Sequence, residues 1–101
     1  SFFKNPIVNA EQLEKLVKNN SDLISYPQSS GNFKLAAGQL IDKMGFKGRK
    51  EGRVAMYEKQ ALVMVNLGQG TVDEVHKLAL IIKEECLHRF GVSLETEPIF
   101  W

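Results

Sequence analysis

Four polar residues stand where apolar or turn-forming residues would be ordinary, and each carries a group able to hold a proton or grip a polar ligand. Glu97 interrupts a β-like end segment just before Pro98, Gln60 precedes a continuous apolar run, and Ser1 and Asn5 bracket two phenylalanines in the opening "SFFKNP". Taken singly, each also has a structural explanation: an edge-strand charge for Glu97, turn polar groups for Gln60 and Asn5, a terminus for Ser1. Other constellations fail on spacing. His76, Cys86 and His88 lack the intervals of a zinc site. Cys86 and His88, two apart on one helix, do not share a face, so neither a metal centre nor a Cys–His nucleophile is expected. Cys86 reads as a small core residue. The "GQG" at 68–70 is no dinucleotide fingerprint, and a tight turn explains it. Lys47, Arg49, Lys50 and Arg53 carry enough charge to hold a phosphate, with a solvated loop as the plainer reading.

The elements that must position these residues follow from pattern. Asn9 and Gln12 form a capping box, with Val8 and Leu13 as a hydrophobic staple, for a helix from Ala10 to about Lys18 whose apolar stripe is Leu13, Leu16 and Val17. A turn-rich connection follows, with a short extended piece from Leu23 to Tyr26. Ala36, Ala37, Leu40, Ile41 and Met44 recur at helical spacing, and Gly45 is placed to end that second helix. "GFKGRKEGR" reads as a basic surface loop, the run from Ala61 to Val65 as a buried strand, and the stretch from Val54 to Tyr57 as its partner.

A Thr71-x-x-Glu74 capping box opens the longest helix, whose face of Val75, Leu78, Ala79, Ile82, Cys86 and Phe90 runs until Gly91. Val92 and Leu94 then alternate with Ser93 and Glu95 as extended chain, and Pro98 suggests an edge strand or a bend. Two or three helices against a small mixed β-sheet make the expected class α+β, as a single domain.

Composition sets the limits. With 101 residues, 44% hydrophobic and 25% charged, the chain fits one compact domain with a modest core. Thirteen basic against twelve acidic residues leave a net charge of +1, too little to draw in nucleic acid or an anionic membrane. The single cysteine allows no internal disulfide, and no apolar run approaches the roughly 20 residues that span a bilayer. A reducing, cytoplasmic compartment is the expectation.

"SFFKNP", "KLAAGQLID", "KQALV" and "LETEPIF", in that order, resemble the signature stretches of the C-terminal domain of UDP-N-acetylenolpyruvoylglucosamine reductases, flavoenzymes of bacterial peptidoglycan synthesis. The resemblance covers essentially the whole chain. It implies that 1–101 is the substrate-binding and catalytic domain, that an N-terminal FAD domain lies outside this chain, and that NADPH reduces the flavin. Hydride from the flavin then reaches the enolpyruvyl group of UDP-N-acetylglucosamine enolpyruvate. By the same resemblance Ser1 stands at the proton-donor serine and Glu97 at a glutamate that helps stabilise the enolate-like intermediate or the ionised serine. Asn5 and Gln60 match residues that contact the UDP-sugar.

An alcohol is a very weak acid, so Ser1 needs neighbouring donors for its developing alkoxide, and a carboxyl beside it should hold a proton to stabilise an anion. Two departures from the family pattern stand out. Thr96 replaces a common proline, which is expected to bear on the Glu97 backbone, and Gln39 replaces a frequent tryptophan, expected to alter only packing; Lys59 keeps the basic residue before the matched glutamine. The competing reading is a stand-alone, non-catalytic binding module derived from that domain, with the basic 47–53 loop facing an anionic partner.

Overall fold

The capping box at Asn9 forms as the sequence predicts: Asn9 Oδ1 accepts from the Gln12 N–H at 2.8 Å, and the Asn9 N–H donates to Gln12 Oε1 at 3.1 Å. Two otherwise unpaired amides of the first turn are thereby satisfied, and helix α1 runs Ala10–Asn19. Asn20 closes it, donating from Nδ2 to the Leu16 carbonyl at 3.1 Å. Leu16 is buried and Leu13 packs on the core, but Val17 is exposed, so the apolar stripe of α1 is narrower than the sequence suggests. The structure, a computed structural model, describes residues 2–46, 50–51, 54–56, 64–66 and 72–97.

Three short strands build the first sheet: β1 (Ile7–Val8), β2 (Ser25–Pro27) and β3 (Phe33–Leu35), in the order β1-β3-β2 with both pairings antiparallel. The extended piece expected at 23–26 is therefore β2, shifted toward the C-terminus. Phe33 to Leu35 form a strand ahead of the second helix, and Ala36, expected inside that helix, stays extended as its N-cap. The reason is the ladder: the Leu35 N–H donates to the Pro6 carbonyl at 2.9 Å and holds the chain extended up to Ala36.

Helix α2 (Ala37–Lys43) ends on the glycine its sequence marks. Gly45 has φ +80, its N–H donates to the Asp42 carbonyl at 2.9 Å, and the Phe46 N–H reaches back to Ile41 at 3.2 Å. This pair of bonds is a Schellman closure, and both Ile41 and Phe46 are buried, as that motif's hydrophobic contact requires.

The second sheet orders as β4 (Lys50–Glu51), β5 (Val54–Met56) and β6 (Met64–Asn66), again antiparallel throughout. The pairing of β5 with β6 matches the expected partnership, whereas Lys50, expected in the basic loop, lies in a strand. Lys47, Arg49, Arg53, residues 61–63, Thr71 and Pro98 lie outside the described residues. In place of one mixed sheet, the described residues form two antiparallel ones, and the class is α+β.

Helix α3 (Val72–Phe90) packs on β4, β5 and α2, and all six residues of its expected face are buried. Gly91, at φ +68, stops it, and beyond it Val92 and Leu94 turn inward while Ser93 and Glu95 face solvent. One core results, joining Phe3, Val8, Leu35, Ile41, Leu78 and Ile82 with their neighbours.

Candidate functional site

The opening stretch of the chain is the backbone on which the candidate residues meet. Phe2 and Phe3 are both buried, edge to face with ring centroids 4.9 Å apart, and this anchors the segment in the core. Phe3 bridges Thr96 in antiparallel sense: the Lys4 N–H donates to the Glu95 carbonyl and the Glu97 N–H donates to the Phe2 carbonyl, each at 2.8 Å. Glu97 is thus fixed by its backbone to the residue that follows Ser1 in the sequence. Its side chain is half-buried, and among the described residues its carboxylate has no hydrogen-bond partner. Ser1 and Gln60 lie outside the described residues. On the solvent side Lys4 Nζ stands 3.9 Å from Glu95 Oε2, a weak surface pair.

Thr96, paired with Phe3, sits at a position whose amide donates no bond in this ladder, because the donors are those of Lys4 and Glu97. A proline at 96 would remove neither bond. The expected consequence of this departure for the Glu97 backbone therefore has no basis in the ladder's hydrogen bonds.

Asn5 has a structural task that the sequence did not disclose. Ala36 offers α2 no side-chain cap, and Asn5 Oδ1 supplies one from 32 residues away, accepting from the Ala37 N–H at 3.0 Å. The Nδ2 donor of the same amide takes no partner among the described residues. With Lys4, Ile7, Gln12 and Glu95, Asn5 lines a cleft of ≈ 420 Å³.

Beside Asn5, the first sheet presents an outward face. Ile7, Lys34 and Tyr26 are directly paired across β1, β3 and β2, so their side chains share one side, and Ile7 and Tyr26 are each 52% exposed. Val8 and Leu35 take the inner side and are buried. Lys34 makes no ion pair among the described residues. A cation flanked by an aromatic ring and an aliphatic side chain is suited to an anion attached to a planar group. Sequence reasoning missed Tyr26 and Lys34: "SYP" and "FKL" are too short for alternation to show, and the register that pairs them across the turn at 28–32 has no signature in residue type.

Gln39 and Lys43, one turn apart on α2, tie down the chain entering β2. Gln39 Oε1 accepts from the Ile24 N–H at 2.7 Å and Nε2 donates to the Asp22 carbonyl at 2.9 Å. Lys43 Nζ donates to both Asp22 carboxylate oxygens, at 2.7 and 3.0 Å. The Lys43 hydrogen bond, followed by the Asp22 backbone amide, holds the Asp22 carboxyl below its ordinary value. Gln39 thus does more than change packing.

Flavin dinucleotides are commonly held at a helix N-terminus with free amides. Here a side chain takes one amide in the first turn of each of two helices, Asn9 that of Gln12 in α1 and Asn5 that of Ala37 in α2. Among the described residues no three His, Cys, Asp or Glu side chains gather around a common point, and no helix is long and apolar enough to cross a membrane. Burial pushes the Cys86 thiol up to about 11, as befits an unreactive core residue.

Comparison with known proteins gives one family. The family described as "UDP-N-acetylenolpyruvoylglucosamine reductase, C-terminal domain" matches residues 1–101. A reductase of that name from Bdellovibrio bacteriovorus is 52% identical over 101 residues, covering 100% of this chain and 30% of that protein. The protein of the same name from Polynucleobacter asymbioticus is 54% identical over 98 residues, 97% of this chain and 28% of its own length. That from Burkholderia mallei is 50% identical over 99 residues, 98% and 28%. The chain thus spans about 30% of the length of the relatives it matches.

Proposed function

This chain belongs to the C-terminal domain family of the UDP-N-acetylenolpyruvoylglucosamine reductases, and on that premise we propose that it supplies the substrate contacts and the proton donor of such an enzyme. The reaction is reduction of UDP-N-acetylglucosamine enolpyruvate to UDP-N-acetylmuramate, in the cytoplasm, for peptidoglycan synthesis. The reducing equivalents come from NADPH through FAD held by an N-terminal domain outside these 101 residues.

The observation that carries this reading is the pairing of residues 2–4 with 95–97, which ties Glu97 to the carbonyl of the residue after Ser1. Ser1 Oγ holds the proton destined for the carbon adjacent to the reduced one. Glu97, half-buried and with no hydrogen bond from its carboxyl among the described residues, steadies the charge that develops on substrate or on Oγ. Asn5 Nδ2, Lys34 and Tyr26 receive the UDP moiety, the two nitrogens on the diphosphate and the ring beside them, with Gln60 as a further contact.

The test uses the full-length protein and follows flavin absorbance in stopped flow. Ser1→Ala should leave flavin reduction by NADPH at the wild-type rate and slow reoxidation by the enolpyruvyl substrate by at least ~10²-fold, the usual contribution of a positioned acid. Survival of both half-reactions would remove Ser1 from the role of donor.

A further inference from the structure

The geometry points to Gln39 and Lys43 as positioning residues for substrate binding: from α2 they hold residues 22–24, and through them set Tyr26 beside Lys34 on the outward face. The inference rests on the reading of that face as the UDP site.

β2 is an edge strand of three residues, hydrogen-bonded to β3 on one side only. Such a strand depends on its flanks to keep its place. Its exit is closed by a tight turn, with the Gln28 N–H donating to Asn32 and the Gly31 N–H to Gln28, at 2.8 and 3.1 Å. Its entry has no such closure of its own beyond the Leu23 N–H to Asn20 contact at 3.0 Å. Gln39 and Lys43 provide it from outside the sheet. The Gln39 amide meets one backbone donor and one backbone acceptor with its complementary atoms, and Lys43 seizes the Asp22 carboxylate in a two-pronged contact.

Both residues project from a helix anchored in the core and bonded at both ends. Leu40 and Ile41, between them in sequence, are fully buried, and both ends of α2 are closed, by Asn5 and by the Schellman bonds. The clamp therefore transmits the position of the core to the edge strand. A helix fixed by Asn5 at one end and gripping the β2 entry by its exposed face sets two of the proposed UDP contacts, Asn5 and Tyr26, against each other.

Gln39→Leu in the full-length enzyme removes both hydrogen-bonding atoms at nearly constant volume. KM for the enolpyruvyl substrate should rise about tenfold with kcat within about twofold, the signature of lost uniform binding, while NADPH-driven flavin reduction is unchanged. Gln39→Glu keeps the acceptor for Ile24 and should restore part of the loss. In a double-mutant cycle with Tyr26→Ala the effects on KM should fall short of multiplying, because one acts through the other. Effects that multiply, or a KM that does not move, overturn the inference.

Hydrogen exchange gives a readout that needs no catalysis. The peptide covering residues 20–27 should exchange faster in Gln39→Leu, with α1 and α3 unchanged. Unchanged exchange in an active enzyme sinks the clamp alone, whereas a wild-type protein that reduces no substrate sinks the proposed function and this inference with it.

Discussion

Helix α3 and the platform of β1, β2, β3 and α2 share one core but differ in what else holds them. The inner face of α3 is six apolar side chains at helical spacing, each buried, and its position is set by volume and burial. The platform shares that core through Val8, Leu35, Leu40 and Ile41, and adds directional bonds between residues distant in sequence: Asn5 to Ala37, Gln39 to Ile24 and Asp22, and Lys43 to Asp22. Burial is non-directional and tolerates small shifts, whereas a hydrogen bond loses strength within a few tenths of an ångström. The half of the molecule proposed to bind substrate is the half whose geometry is fixed bond by bond.

Emptying the α3 face should therefore have the largest effect on stability. Ile82 is fully buried, and Ile82→Ala should lower unfolding free energy by ~2–5 kcal/mol through lost burial and the cavity left behind. Leu78→Met, which nearly conserves volume, should cost under ~1.5 kcal/mol. Urea-unfolding midpoints measure both. If the two substitutions cost the same, α3 is not held by volume and the contrast with the platform collapses.

Asn5→Asp sharpens the contrast from the other side, because it separates the two tasks of one side chain. A carboxylate still accepts from the Ala37 N–H, and its charge suits a helix N-terminus, so stability should stay within ~0.5 kcal/mol of wild type. The donor of Nδ2 is lost and a negative charge is set toward the proposed diphosphate. Affinity for UDP-N-acetylglucosamine, read by calorimetry, should fall by about tenfold or more. Asn5→Ala should instead lose the cap as well, at ~1 kcal/mol. Equal destabilisation by both variants would show that Asn5 is not the cap.

The same difference decides what could be read in the sequence. The six buried residues of α3, the Asn9–Gln12 capping box and the glycine stops at 45 and 91 are local patterns, and all of them appear as expected. The strands of the first sheet are two or three residues long, too short for alternation to declare itself, and Ala36 was drawn into a helical pattern that the ladder to Pro6 overrides. Family resemblance singled out Asn5, but its bond to Ala37 spans 32 residues and has no local signature. Tyr26 and Lys34 escaped for a different reason: they face each other across a local hairpin, but strands of three residues leave its register unmarked in the sequence.

The smallest expected effect concerns Thr96. Ordinarily proline removes a ladder donor and is confined to edges or to positions whose N–H does not point at a partner. Thr96 is such a position, because the two bonds of its bridge to Phe3 use the amides of Lys4 and Glu97. Thr96→Pro should therefore leave Glu97 in place, shift stability by no more than ~1 kcal/mol in either direction, and leave reoxidation of the flavin by substrate within about twofold of wild type. A loss of reoxidation comparable to that of Ser1→Ala would mean that the Thr96 amide, or its side chain, works on the Glu97 side of the site. The 95–97 segment would then belong with the directionally bonded platform in a way its backbone hydrogen bonds do not require.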